Sequence, residues 1–201
     1  MTKRLHSDVD VQKVFQFYSK SKKTGHNDPK VLSNFSHGAR IAITLYGKKV
    51  SALSVEALFQ YAKYQFADKK SGNFDPDAIL EMSPKDAKFA GGRKGMTING
   101  YKLKQDEWDG MIMKTIVAAR FEQDENFQRV LMATGDDYLL HFSRSDKTWG
   151  GLIPKTLERN VDNVKGKNAL GIMLMELREK ANLHTRINQV NGPHMQHSQI
   201  K

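Results

Sequence analysis

The chain has no cysteine among its 201 residues. This excludes disulfides, thiolate metal sites and cysteine nucleophiles, and it is compatible with a reducing compartment. No apolar run approaches the roughly 18 residues of a membrane span, and the opening Met1–Asp8 stretch lacks the apolar core of a secretory signal. A soluble cytoplasmic protein with no membrane partner is therefore expected. The histidines, including His194 and His197, form no metal-ligand pattern. The glycine-rich Gly91-Gly92-Arg93-Lys94-Gly95 lacks the Walker spacing and reads equally well as a hinge or a phosphate cradle. Acidic residues are in deficit, with 22 Asp and Glu against 32 Lys and Arg and a net charge of +10. That balance favours anionic partners: phosphates on a small nucleotide or nucleic acid would satisfy it, and so would a solvated basic surface. Lys3, Arg4, Lys13, Lys20, Lys22, Lys23 and Lys30 carry part of the excess.

A hydrophobic share of 39% over this length fits one domain with an elaborated loop or tail. Ala39–Leu45 alternates as a strand, with Ile41, Ile43 and Leu45 on one face, and ends at Gly47. Ser54 is a candidate N-cap for a helix through Lys63. Ser83-Pro84-Lys85-Asp86 starts a short helix that stops near Gly91-Gly92, followed by a loop over 91–104. Further helices are expected over 106–121, with Trp108, Met111, Ile112 and Ile116 inward, and over 125–133. A short strand is expected over 138–142, and 151–165 reads as an insertion. A helix begins near Asn168, where Leu170, Met173, Leu174 and Leu177 form a core stripe. Residues 182–201 are polar and aperiodic and read as a mobile tail. The expected class is α+β: a mainly helical single domain with a few short strands.

Glu56 and Lys63 carry the strongest chemical suggestion. Two turns apart on one helix, they can project from the same face, and a carboxylate beside an amine suits glycosidic chemistry. An ordinary amphipathic surface helix produces the same spacing. Asp146 with Trp149-Gly150 is a second constellation: an indole to stack on a base, a glycine to admit the backbone, and a carboxylate to stabilise a sugar cation. Its plain alternative is a core aromatic before a glycine turn. Ser33-Asn34-Phe35 falls in a loop where it could hold a ribose or base, or simply turn the chain. Gly166-Lys167-Asn168 leads into the last helix, where the N-terminal amides could receive phosphate or Asn168 could act as a cap.

The order Phe17-Tyr18-Ser19, Leu32-Ser33-Asn34-Phe35, Ser54-Val55-Glu56-Ala57-Leu58-Phe59-Gln60-Tyr61-Ala62-Lys63, Ala119-Arg120-Phe121-Glu122-Gln123, Thr134-Gly135-Asp136, Asp146, Trp149-Gly150, Gly166–Gly171 and Leu174–Arg178 resembles the YbiA-like or NADAR family. The resemblance implies a YbiA-like domain over 14–181, between a basic segment at 1–13 and the flexible tail. It also implies cleavage of an N-glycosidic bond without a cofactor, with release of ADP-ribose from modified guanine in a nucleotide or nucleic acid as the leading expectation. Glu56 would act as acid and base, Lys63 would capture the opened ribose as a Schiff base, and Asp146 would support the sugar cation. Tyr18, Ser33, Asn34, Phe35, Trp149, Gly150, Lys167 and Asn168 would bind substrate. Two alternatives are cleavage of phosphorylated riboflavin-pathway intermediates and non-catalytic binding of ADP-ribose or NAD. Two positions depart from the family pattern: His141 stands where relatives carry glutamate, and Ala57 where many carry histidine. His141 is therefore a candidate replacement proton carrier.

Overall fold

The computed structural model describes residues 13–24 and 28–190. All of the basic 1–13 segment except Lys13 lies outside the described residues, as does the chain from 191 onward.

Among the described residues six short strands form three separate two-stranded sheets, and the helices supply most of the core. The β1 strand (Val14–Phe17) runs parallel to β6 (Tyr138–His141), with Phe17 opposite His141. The β2 (Ile41–Leu45) and β3 (Lys48–Ala52) strands form a hairpin. Its two turn residues, Tyr46 and Gly47, have φ of 50° and 81°, the positive values a tight hairpin of this kind requires. The expected strand before Gly47 is present, with Ile41 and Leu45 buried. Its partner β3 was not expected, because Lys48 and Lys49 mask the inward Val50 and Ala52.

Helix α1 (Val55–Tyr64) starts at Ser54, whose hydroxyl accepts from the Ala57 amide, a cap worth about 1 kcal/mol. All its residues except Lys63 are buried, so the surface-helix reading of Glu56 and Lys63 does not hold. The β4 strand (Ala67–Lys69) pairs with β5 (Tyr101–Leu103). Between them lie α2 (Pro84–Ala90), capped by Ser83, and α3 (Arg93–Ile98). The expected 91–104 loop is thus a helix and a strand; α3 is only six residues long, too short for periodicity to reveal.

The helix expected from Asp106 begins at Ile112, as α4 (Ile112–Gln123). Gly110 at φ 74° breaks the chain just before it, and Asp109 Oδ1 accepts from the Met111 amide. Met111 consequently points outward, 56% exposed, whereas Trp108 packs inward from the preceding loop onto Phe59 and Phe66. Helix α5 (Glu125–Met132) matches expectation and is capped by Asp124. The final helix, α6 (Ala169–Val190), buries Leu170 and Leu174 and packs Met173 and Leu177 against the core. It continues beyond the expected end at Ala181, through part of the segment read as a mobile tail. Among the described residues no helix is long and apolar enough to cross a membrane.

Candidate active site

Nine of the candidate residues meet around one cavity of about 380 Å³: Tyr18, Ser33, Asn34, Phe35, Glu56, Lys63, His141, Asp146 and Trp149. Local folding explains each placement. Helix α1 enters from the Ser54 cap, and the Glu56 amide donates to the Asn34 carbonyl at 3.1 Å, which docks the first turn on the Ser33-Asn34-Phe35 loop. That loop is held from behind by Arg120, which donates to the Ser33 carbonyl at 3.2 Å. Arg120 is itself buried, paired with Asp124 at 3.1 Å and lying over the Phe127 ring. A buried ion pair whose remaining donor is used on a backbone carbonyl fixes geometry more than it adds stability.

Glu56 is only 6% exposed. Burial pushes its carboxyl above the ordinary glutamate value, against a hydrogen bond from Gln60 and the positive charges of Lys88 and Lys63. Lys63 is half-buried, and its ammonium donates to the Gly91 carbonyl at 3.2 Å. Burial pulls its amine below the ordinary lysine value, and Lys88 adds to that, while Glu56 and Asp146 oppose it. Both shifts favour the neutral forms: a carboxylic acid that can donate a proton, and an amine with a free lone pair. Groups perturbed by burial and by specific charged neighbours in a cleft are candidates for a functional site.

Asp146 Oδ1 accepts from the Thr148 and Trp149 amides at 3.0 and 2.9 Å. The Asp146 amide in turn donates to Ser143 Oγ. This turn places Trp149, a half-buried residue that lines the cavity and whose indole meets Phe59 edge-on at 5.5 Å. Trp149 thus combines core packing with exposure to the cavity.

His141 stacks on Phe17 at 5.3 Å, and its Nδ1 lies 3.1 Å from the Trp149 carbonyl. A carbonyl only accepts, so the neutral ring carries its proton on Nδ1 and keeps Nε2 as an acceptor. Burial lowers its pKa, against the Trp149 hydrogen bond and the charge of Asp146. The expected titration near neutrality is thereby displaced downward. Ala57 is buried in α1 next to the cap.

Three candidates do not line this cavity. Gly150 packs its backbone against β6, where an added Cβ would stand 2.7 Å from the His141 carbonyl. Lys167 is exposed, and Asn168 is almost fully buried at φ 49°. Asn168 accepts from the His141 amide and donates to the Leu139 carbonyl and the Tyr138 hydroxyl. The amides of Lys167, Asn168, Ala169 and Leu170 donate to the carbonyls of Lys147, Gly150, Thr148 and Trp149. The start of α6 therefore grips the Trp149 turn, and these amides are already engaged rather than open to phosphate.

Sequence reasoning missed Gln60 and Lys88. Gln60 is buried and donates to Glu56 at 2.7 Å; a glutamine one turn after an acid was a readable signal. Lys88, on α2, lies over the Phe35 ring and lines the cavity. Nothing in the sequence placed α2 beside the Phe35 loop.

The NADAR domain family model matches residues 16–182. N-glycosidase YbiA of Shigella boydii serotype 4 (strain Sb227) is 33% identical over 85 residues, which cover 41% of this chain and 48% of that protein. N-glycosidase YbiA of Escherichia coli (strain K12) is 35% identical over 82 residues, covering 39% and 46%. The chain thus spans about half the length of the curated relatives it matches. The NMR structure of the E. coli protein YbiA is similar at a TM-score of 0.57 and 28% identity, over 94% of both chains.

Proposed function

Because the chain belongs to the NADAR domain family, we propose that it is an N-glycosidase that hydrolyses the bond between a ribosyl carbon and a base nitrogen, releasing ADP-ribose from modified guanine. The observation that carries this reading is the pairing of Glu56 and Lys63 on one cavity wall, each with its neutral form favoured by burial. The relatives, N-glycosidases by name, support the reaction class.

In the proposed reaction, Glu56 donates its proton to the departing base nitrogen as the carbon–nitrogen bond breaks and its electron pair leaves with the base. The carboxylate of Asp146 stabilises the positive charge that develops on the sugar. The neutral Lys63 amine adds to that cationic carbon and gives a proton to the Glu56 carboxylate, which passes it to the ring oxygen as the ring carbon–oxygen bond breaks, so that the opened ribose is held as an imine. Water then adds to the imine, regenerating the amine and releasing the sugar. Trp149 stacks on the base, and the hydroxyl, amide and ring groups of Tyr18, Ser33, Asn34 and Phe35 hold the sugar. Lys88 contributes positive charge for a phosphate. His141, neutral with Nε2 free, accepts a hydrogen bond in place of a carboxylate.

The test is mass-spectrometric product analysis after incubation with ADP-ribosylated guanine nucleotide, ADP-ribosylated DNA and phosphorylated ribosylamines. Free guanine nucleotide or repaired DNA together with ADP-ribose is the expected result. Base release from the ribosylamines alone would move the assignment to the smaller substrates, and binding without any release would exclude catalysis.

A further inference from the structure

The glycine pair that closes α2 has no conformational need for glycine at its first position. Gly91 is buried and stands at φ −84°, a negative value that residues with a side chain also adopt. Space is what excludes a side chain. A Cβ on Gly91 would stand 2.7 and 2.8 Å from Cβ and Cδ of Gln60 and would overlap its Oε1, whereas one on Gly92 would meet only the Lys88 and Phe89 carbonyls at 3.2 and 3.3 Å. Gln60 has little freedom to yield, because its Cβ is fixed by helix α1 and its Nε2 donates to Glu56 at 2.7 Å. Its Oε1, buried without a hydrogen-bond partner among the described residues, rests against the backbone of Gly91. The bare Cα of Gly91 therefore leaves the Gln60 amide room to turn its donor toward Glu56.

The same glycine holds the amine. Lys63 Nζ donates to the Gly91 carbonyl at 3.2 Å. A carbonyl only accepts, so the neutral amine gives one N–H to Gly91 and keeps its lone pair for an electrophile in the cavity that Lys63 lines. The next residue along α1 repeats the contact: the Tyr64 hydroxyl donates to the Ala90 carbonyl at 2.8 Å. Consecutive carbonyls at the end of α2 thus seat consecutive side chains of α1. Gly91 does not line the cavity that holds Glu56, so any effect it has there passes through Gln60 and Lys63.

We propose that Gly91 is a positioning residue for both reactive groups: the space over its Cα sets Gln60 on Glu56, and its carbonyl orients the Lys63 amine. The roles of Glu56 and Lys63 in this assignment rest on the N-glycosidase reading. One backbone position then keeps the proton donor and the nucleophile in a fixed relation.

Three full-length variants test it: Gly91→Ala, Gln60→Gly, and the exchange Gly91→Ala/Gln60→Gly, which removes the three Gln60 atoms that the new methyl group would meet. Two readouts need no turnover. One is the titration of the Glu56 carboxyl carbon by NMR, identified by its absence from Glu56→Gln. The other is the adduct that ribose 5-phosphate and cyanoborohydride leave on Lys63, mapped by peptide mass spectrometry. Lys63, Lys88 and Asp146 also act on Glu56 and remain in every variant.

Gly91→Ala is expected to move the Glu56 titration to higher pH, as the Gln60 hydrogen bond is lost, and to lower the Lys63 adduct about tenfold or more, because small displacements of a reacting group are costly. In Gln60→Gly the Glu56 titration moves up while the adduct stays near wild type. The exchange matches Gln60→Gly in both readouts. A Gly91→Ala protein that melts lower but titrates and traps as wild type overturns the assignment, as does an exchange that traps far less than Gln60→Gly. The second comparison decides alone should Gly91→Ala not fold. A base-release assay on the same proteins separates the two ideas. Base release by wild type, with both readouts unchanged in Gly91→Ala, removes the positioning role and leaves the N-glycosidase reading. No base release by wild type, with both readouts moving as described, removes that reading and leaves Gly91 positioning the pair.

Discussion

Gln60 Nε2 donates to Glu56 Oε1 at 2.7 Å inside the wall of α1, while Gln60 Oε1 is buried without a hydrogen-bond partner among the described residues. The amide thus serves the ionised form of Glu56, and a flipped amide could accept from the protonated form. The hydrogen bond holds the Glu56 carboxyl lower than burial alone would set it. Replacing Gln60 with leucine removes that restraint, so the Glu56 value rises further. As the general acid must be protonated, the limb of the pH–rate profile on which activity falls with rising pH moves to higher pH. A limb at the wild-type position would show that Glu56 does not control it.

Glu56→Gln is expected to abolish base release and to stabilise the fold at neutral pH. Burial raises the folded-state value of Glu56 above its unfolded value of about 4.3. Its contribution to stability is therefore fully present below the unfolded value and is lost as pH rises through the folded one. The glutamine variant has no such loss, so its melting temperature relative to wild type increases from acid toward neutral pH. Thermal melts of both proteins across that range check the sign; a difference that shrinks toward neutrality would contradict the assigned burial.

Trp149→Ala is expected to weaken binding of a base-containing ligand by roughly 1–3 kcal/mol, the value of one stacked base. A base-free sugar phosphate should be affected much less. Because the indole also packs on Phe59, melting curves accompany the titration. Equal losses for both ligands would assign Trp149 to packing alone.

His141 contributes stability in the opposite pH direction from Glu56. Burial depresses its folded value below the unfolded value of about 6.5. The neutral ring's contribution is present above the unfolded value and is lost as pH falls through the folded one. His141→Gln should flatten the acid side of the stability curve. If the imidazole moves a proton in catalysis, wild type also shows a kinetic limb below 6.5 that this variant lacks. An unchanged rate profile would leave Glu56 as the proton carrier.

Much of this site was legible because it is local in the chain. Ser54 announces α1, and the Glu56 to Lys63 spacing puts both groups on one wall. Ser83 and Asp86 mark the start of α2, and the apolar stripe from Leu170 marks α6. The remainder depends on contacts between distant segments. Parallel pairing of β1 with β6 sets Phe17 against His141, and the Gly91 carbonyl meets Lys63 from another helix pair. The phosphate role expected at Lys167 and Asn168 gave way to backbone contacts with residues 147–150, which no periodicity encodes. Short elements such as α3 and β3 hold too few residues for a pattern to stand out.

Reductive trapping at Lys63 tests the central claim most directly. Borohydride added during turnover of ADP-ribosylated guanine nucleotide should reduce the imine and leave a sugar adduct, which peptide mass spectrometry maps to Lys63. Lys63→Ala should lose both the adduct and base release while melting close to wild type and still binding ADP-ribose. Base release by Lys63→Ala at the wild-type rate would contradict the mechanism, as would an adduct that maps to another lysine.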